Sequence, residues 1–166
     1  MKKVFKVAIV AIASVAMSLA ANAQSKGDMA AGGNLVLGTG DSYTNIGIGG
    51  KFQYNVTDPI RLEGSLTFFL KKDYVSFWDI SANGHYLFPV ADAITVYPLA
   101  GLGIFGSKVD LGEWGGSVTH SDVCINLGGG MDFKLTDQLF LNAELKYKIV
   151  NNWNRLMLSA GIAYKF

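Results

Sequence analysis

Arg155-Leu156-Met157-Leu158-Ser159-Ala160-Gly161-Ile162-Ala163-Tyr164-Lys165-Phe166 closes the chain. Taken at every second position, it splits into two sets. Leu156, Leu158, Ala160, Ile162, Tyr164 and Phe166 are all apolar, whereas Arg155, Met157, Ser159, Gly161, Ala163 and Lys165 are mixed. A period of two places such sets on opposite faces of a β-strand. The stretch before it repeats the pattern: Leu139, Leu141, Ala143, Leu145, Tyr147 and Ile149 oppose Phe140, Asn142, Glu144, Lys146 and Lys148. Earlier still, Ile60, Leu62, Leu66, Phe68 and Leu70 oppose Arg61, Glu63, Ser65, Thr67 and Phe69. Ile46, Ile48, Phe52, Tyr54 and Val56 oppose Asn45, Lys51, Gln53 and Asn55.

Extended along the chain, this alternation predicts eight strands and no helix after Gln24. They run from about Ala30 to Gly38, Thr44 to Val56, Ile60 to Leu70, Ser76 to Phe88, Ile94 to Gly106, His120 to Leu135, Leu139 to Val150 and Arg155 to Phe166. Three connections are copies of one another: Val56-Thr57-Asp58-Pro59-Ile60, Val90-Ala91-Asp92-Ala93-Ile94 and Leu135-Thr136-Asp137-Gln138-Leu139. Four residues before each Asp stands an aromatic, Tyr54, Phe88 or Phe133. Asp suits a tight turn because its carboxylate accepts hydrogen bonds from nearby backbone N–H groups. The other connections differ from one another, and Ser107 to Thr119 reads as one longer loop. One rim therefore has uniform short turns and the other has varied loops, as in bacterial outer-membrane barrels.

The start of the chain is of another kind. Lys2, Lys3 and Lys6 precede an apolar run of small residues from Val7 to Ala21, then Ala21-Asn22-Ala23. This is the layout of a secretory signal peptide over residues 1–23, with the exported domain at 24–166. Without the leader, 11 basic residues face 13 acidic ones. That balance offers no basic patch for a nucleic acid. The single cysteine, Cys124, excludes an intrachain disulfide.

Alternation does not say which face is outside. A soluble barrel would turn its apolar face inward, and a membrane barrel inverts this. Three features favour inversion. The apolar face gathers aromatics at the short-turn end: Tyr54, Tyr86, Phe88, Phe133, Tyr164 and Phe166 would form one interface girdle. Strands of about ten residues, tilted near 40°, would cover about 25 Å of bilayer. Tyr164 and Phe166 end the chain in the alternating pattern that the barrel-assembly machinery reads in outer-membrane proteins. The expectation is an all-β, eight-stranded antiparallel up-and-down transmembrane β-barrel, with outer-membrane lipid and lipopolysaccharide around it.

Tyr97-Pro98, Gly101-Leu102-Gly103, the run Asn126-Leu127-Gly128-Gly129-Gly130-Met131-Asp132-Phe133, Leu135-Thr136-Asp137 and Ala143-Glu144-Leu145-Lys146-Tyr147 carry a resemblance over nearly the whole exported chain. It resembles the small outer-membrane barrels of the OmpA/OmpX and opacity-protein type. The resemblance implies an eight-stranded barrel in the bacterial outer membrane and no one shared activity.

Inversion would point Lys51, Arg61, Glu63, Asp79, His85, Asp122, Asp132, Lys134, Glu144, Lys146, Lys148, Arg155 and Lys165 inward. An eight-stranded barrel is just wide enough for side chains to fill it. Opposite charges should pair there, with Lys51, Arg61, Glu63, Glu144 and Lys146 as the central network and a polar plug as their role. The alternatives are a narrow porin-like channel and a lipid A-modifying enzyme. Signals for chemistry are thin, and no catalytic, metal or cofactor site is assigned. Gly101-Leu102-Gly103-Ile104-Phe105-Gly106 spells G-x-G-x-x-G, but no helix follows it. His120 and Ser121 are adjacent in a strand and should face opposite ways, a poor base–nucleophile pair. His85 has no second metal ligand identifiable in the sequence. The loop around Trp114, between Gly112 and Gly115, is the best candidate contact surface.

Overall fold

The computed structural model describes residues 25–40, 44–71, 75–110, 116–151 and 154–166. Residues 1–23, read above as a leader, and Trp114 lie outside these. Nine ladder segments follow in chain order: β1 Met29–Thr39, β2 Thr44–Asn55, β3 Ile60–Phe69, β4 Val75–Tyr86, β5 Phe88–Ala91, β6 Ile94–Asp110, β7 Ser117–Lys134, β8 Leu139–Val150 and β9 Arg155–Lys165.

β4 and β5 are one barrel strand. His85 faces Leu99 and Phe88 faces Val96, so the register against β6 runs on unchanged across Leu87. The ladder lapses where the strand carries Pro89 and its partner carries Pro98, because proline has no N–H to donate. The sheet therefore has eight strands, each antiparallel to its neighbours, and β1 pairs with β9 to close it.

Closure fixes the shape. Met29 pairs with Tyr54, and the ring continues through Leu62, Gly84, Ala100, Leu127, Tyr147 and Leu156. Leu156 returns it to β1 at Thr39, ten residues beyond the start. A stagger of ten over eight strands tilts each strand by about 40° from the axis.

The inversion is plain in the side chains. Leu35 is 64% exposed and Leu102 61%, while Arg61 is 0% and Glu144 1%. Hydrophobic side chains form the outer wall and polar ones the centre. Asp122, Lys134 and Lys165 are exceptions to the inward set, since each lies near a rim and is partly or largely exposed. Lys134 bonds Asp137 at 2.8 Å in its own turn instead.

Two readings of the connections change. Ser107 to Thr119 is not one loop: β6 and β7 continue past Gly106 and pair as far as Asp110 with Ser117. Alternating Val109, Val118 and Thr119 sustain the hairpin, as β-branched residues do. In the repeated turns, threonine and not aspartate accepts the local backbone bonds. Thr57 Oγ1 accepts from Ile60 N at 3.1 Å, and Thr136 Oγ1 from Leu139 N at 3.0 Å. Asp58 accepts instead from the distant Lys26 N, at 2.8 Å. The third copy has Ala91 where the others have threonine, and its ladder shifts register there.

Candidate functional site

The barrel interior is the one place where ionisable side chains converge among the described residues, and it is stacked in layers. Nearest the short turns, Arg61 Nη1 reaches Asp132 Oδ2 at 2.6 Å. The same guanidinium lies 4.6 Å from the Tyr97 ring centre, and Tyr97 stacks on His85 at 4.6 Å. Arg61 Nε and Nη2 both approach His85 Nδ1, at 3.2 and 3.1 Å. Arginine only donates, so Nδ1 must accept, and the ring proton sits on Nε2.

In the middle layer, Lys51 Nζ lies 2.9 Å from Glu144 and 3.4 Å from Glu63. Lys146 Nζ reaches the other Glu144 oxygen at 3.1 Å. Tyr97 donates its hydroxyl to Glu144 at 2.9 Å, and Gln53 donates to Glu63 at 2.9 Å. Above this, Lys148 Nζ bonds Asp79 at 2.6 Å, Ser81 at 2.9 Å and Asn126 at 2.8 Å. The last layer is apolar. Val36, Phe69, Phe105, Cys124, Val150 and Met157 close the end opposite the termini. The Arg155 guanidinium sits 4.9 Å from the Phe105 ring centre and donates to Asn45 at 2.9 Å.

Glycine makes room for these long side chains. A Cβ on Gly130 would stand 2.7 Å from both Glu144 Cγ and the Tyr97 hydroxyl. Gly101 and Gly103 likewise face the interior, inside β6, where a Cβ on Gly103 would stand 2.6 Å from Ser81 Oγ. The G-x-G-x-x-G run is thus strand, with none of the helix that a phosphate loop requires.

Four of the five central residues, Lys51, Glu63, Glu144 and Lys146, form one cluster. The fifth, Arg61, takes Asp132 as its carboxylate partner. Sequence reasoning missed Tyr97, which links the two layers. Its strand has a weakly polar inner face of Thr95, Tyr97, Leu99 and Gly101, so parity alone marked it. Sequence reasoning placed Gln53 on the polar face but left it, with Asn83 and Asn126, out of the inward set, because only charged residues and His85 were carried into that set.

Glu63, His85 and Glu144 place potential ligand atoms within 4.8 Å of one another. They do not suit a metal ion: the His85 lone pair is taken by Arg61, and Lys51 and Lys146 already neutralise the carboxylates. Nor do His120 and Ser121 meet. They are consecutive in β7, and His120 pairs with Asp122 at 3.1 Å.

On the outer wall, Tyr54, Tyr86, Phe133, Tyr164 and Phe166 are exposed and Phe88 is half-buried, all at the short-turn end of their strands. Phe166 packs 6.4 Å from Phe52, and its N–H donates to Met29 O at 3.0 Å.

A closed eight-stranded barrel with a charged centre and an apolar exterior narrows the relatives to membrane barrels. Residues 7–166 match the outer membrane protein beta-barrel domain model. The chain belongs to that family. Members reside in the bacterial outer membrane, and so does this barrel. It is similar in structure to neisserial surface protein A, NspA, at 20% identity and a TM-score of 0.69, covering 84% of this chain and 96% of that one. It is also similar to Ail, the attachment invasion locus protein of Yersinia pestis, at 20% identity and a TM-score of 0.62, over 85% and 99%. The N-terminal β-barrel domain of Pseudomonas aeruginosa OprF gives 17% identity and 0.64, over 86% and 100%. At these identities the likeness is one of fold. No curated protein matches the chain.

Proposed function

We propose that this outer-membrane barrel is a structural and surface-interaction protein rather than a pore or an enzyme. The observation that carries this is the filled cross-section. Three successive ion-pair layers, Arg61–Asp132, Lys51–Glu144–Lys146 with Glu63, and Lys148–Asp79, span an interior that has width only for side chains. Breaking one buried pair would leave a naked charge, so the layers act as a plug that locks the wall. Purified protein in planar bilayers should show no stable conductance steps. Stable large currents would replace this reading with the porin-like one.

The β6–β7 hairpin supports the interaction role. Its pairing with β8 stops at Cys124 and Val150, so Ser117 to Val123 carry no ladder partner on that side among the described residues. An unpaired edge offers backbone donors and acceptors to an extended segment of another protein. The short-turn rim then faces the periplasm and this hairpin the exterior. Tyr54, Tyr86, Phe88, Phe133, Tyr164 and Phe166 serve as the inner interface girdle against lipid, Tyr164 and Phe166 also as the signal to the barrel-assembly machinery, and lipopolysaccharide surrounds the upper wall. Residues 1–23 act as the cleaved leader, so the exported protein should begin at Gln24 on N-terminal sequencing. Ser121→Ala and His120→Ala should each leave the lipid A mass profile unchanged. A changed profile would restore the lipid-modifying alternative.

A further inference from the structure

In the layer around Lys148, a lysine lies against a side-chain amide with a carboxylate beside it. Lys148 on β8 and Asn126 on β7 are direct cross-strand partners. Lys148 Nζ stands 2.8 Å from Asn126 Oδ1, 2.6 Å from Asp79 Oδ2 and 2.9 Å from Ser81 Oγ. All four side chains are buried. The amide is held from its other end as well. Asn126 Nδ2 donates to Asn83 Oδ1 at 2.9 Å, so the carbonyl side of the amide faces the lysine. Ser81 Oγ accepts from Nζ and donates to Asp79 Oδ1 at 2.9 Å, which completes a relay from the amine to the carboxylate.

These are the parts of an amide exchange: an amine, a carbonyl carbon and a group that carries protons between them. The amine and the amide sit on one rung of paired strands, so their reaction is unimolecular and gains the effective concentration of groups held in place. Burial keeps water away, and hydrolysis of the amide then does not compete. An ammonium has no lone pair and must first lose a proton to become a nucleophile. Asp79 takes that proton, directly or through Ser81. The buried ion pair becomes a neutral amine beside a neutral acid, and no naked charge is left in the interior.

We propose that Lys148 and Asn126 join in an intramolecular isopeptide bond, with Asp79 as the proton carrier. Lysine Nζ, once neutral, swings from Oδ1 to Cγ and bonds to it. The Cγ–Nδ2 bond breaks. Nδ2 takes, by way of Asp79, the proton that Nζ sheds on bonding, and leaves as ammonia. No oxidation is involved and no further reactant is needed. Asp79 ends as the protonated acid, so the positive charge of Lys148 and the negative charge of Asp79 disappear together. The product ties β7 to β8 covalently above the Lys51–Glu144 layer. It adds to the plug and does not depend on the plug being closed to ions.

A peptide map of protein purified from the outer membrane decides the matter without any variant. Trypsin should not cut after Lys148. One branched peptide should join the segments that carry Asn126 and Lys148, lighter than their sum by about 17 Da, the mass of the lost ammonia. Recovery of both segments separately and at full mass overturns the proposal. So does the same mass loss confined to the Asn126 segment, which would be a cyclic imide formed without the lysine. Asp79→Asn tests the proton carrier. In a barrel that heat-modifiable gel mobility shows to be folded, the branched peptide should be absent. A folded Asp79→Asn protein that cross-links as fully as wild type overturns the assigned route. If this variant does not fold, the wild-type map still stands as the test of the bond.

Discussion

Arg61 is fully buried and holds the Asp132 carboxylate at 2.6 Å. Removing one partner of a buried pair strands the other, at a cost of about 3–5 kcal/mol, whereas replacing both by apolar groups can be nearly neutral. Arg61→Met should therefore lower unfolding stability by about that amount. Arg61→Met/Asp132→Leu should recover most of the loss, measured by urea titration in lipid vesicles as a double-mutant cycle. Asp137 is the contrasting case. It lies in an exposed turn, where the Lys134 ammonium at 2.8 Å holds its carboxyl below the ordinary aspartate range. A lowered folded value stabilises above the unfolded pKa and is lost as pH falls through the folded one. Solvent screens this pair, so Lys134→Ala should return the Asp137 titration upward, as followed by NMR, with no measurable change in stability. The parity of Arg61 in its strand showed that it points inward. Nothing in the sequence showed that Asp132, 71 residues away, would be its partner.

The turns and strand ends show what elements add. Thr136 Oγ1 accepts from both Gln138 N and Leu139 N, at 3.3 and 3.0 Å. Thr136→Ala should cost about 1 kcal/mol, the usual net worth of a hydrogen bond, while Asp137→Ala should cost less, by urea midpoint. The repeated Asp58, Asp92 and Asp137 connections were legible as turns, but the residue that accepts the backbone bonds in two of them was not. Both side chains can cap a turn, and backbone geometry chose the hydroxyl. Strand centres were likewise legible, because a period of two survives over ten residues. The β6–β7 hairpin was misjudged at its tip because Gly106 ends the alternation locally. On the outer wall that glycine gives room to Trp78, whose ring a Cβ would overlap. Pairing with β4 carries the ladder through it, Trp78 facing Gly106.

At the scale of the whole molecule, the apolar wall encloses a charged centre, so the effect of a substitution depends on its height in the bilayer. Ala100 faces outward midway along β6. Ala100→Arg should destabilise by about 2–4 kcal/mol, the range for arginine at the midplane of a barrel wall. Val118→Lys, on the hairpin above the closed wall, should be close to neutral in the same vesicle unfolding measurement. The sequence by itself determined the class. Alternation predicts the strands, and aromatics gathered at one end with turns of two kinds favour an inside-out barrel, because each follows from local geometry and from the medium beside each face. Tertiary structure alone decided the stagger of ten, and with it which charges meet. Register sums small offsets between all eight strands, and no single strand carries that sum. Lys51 reaches Glu144 across 93 residues only because the ring closes.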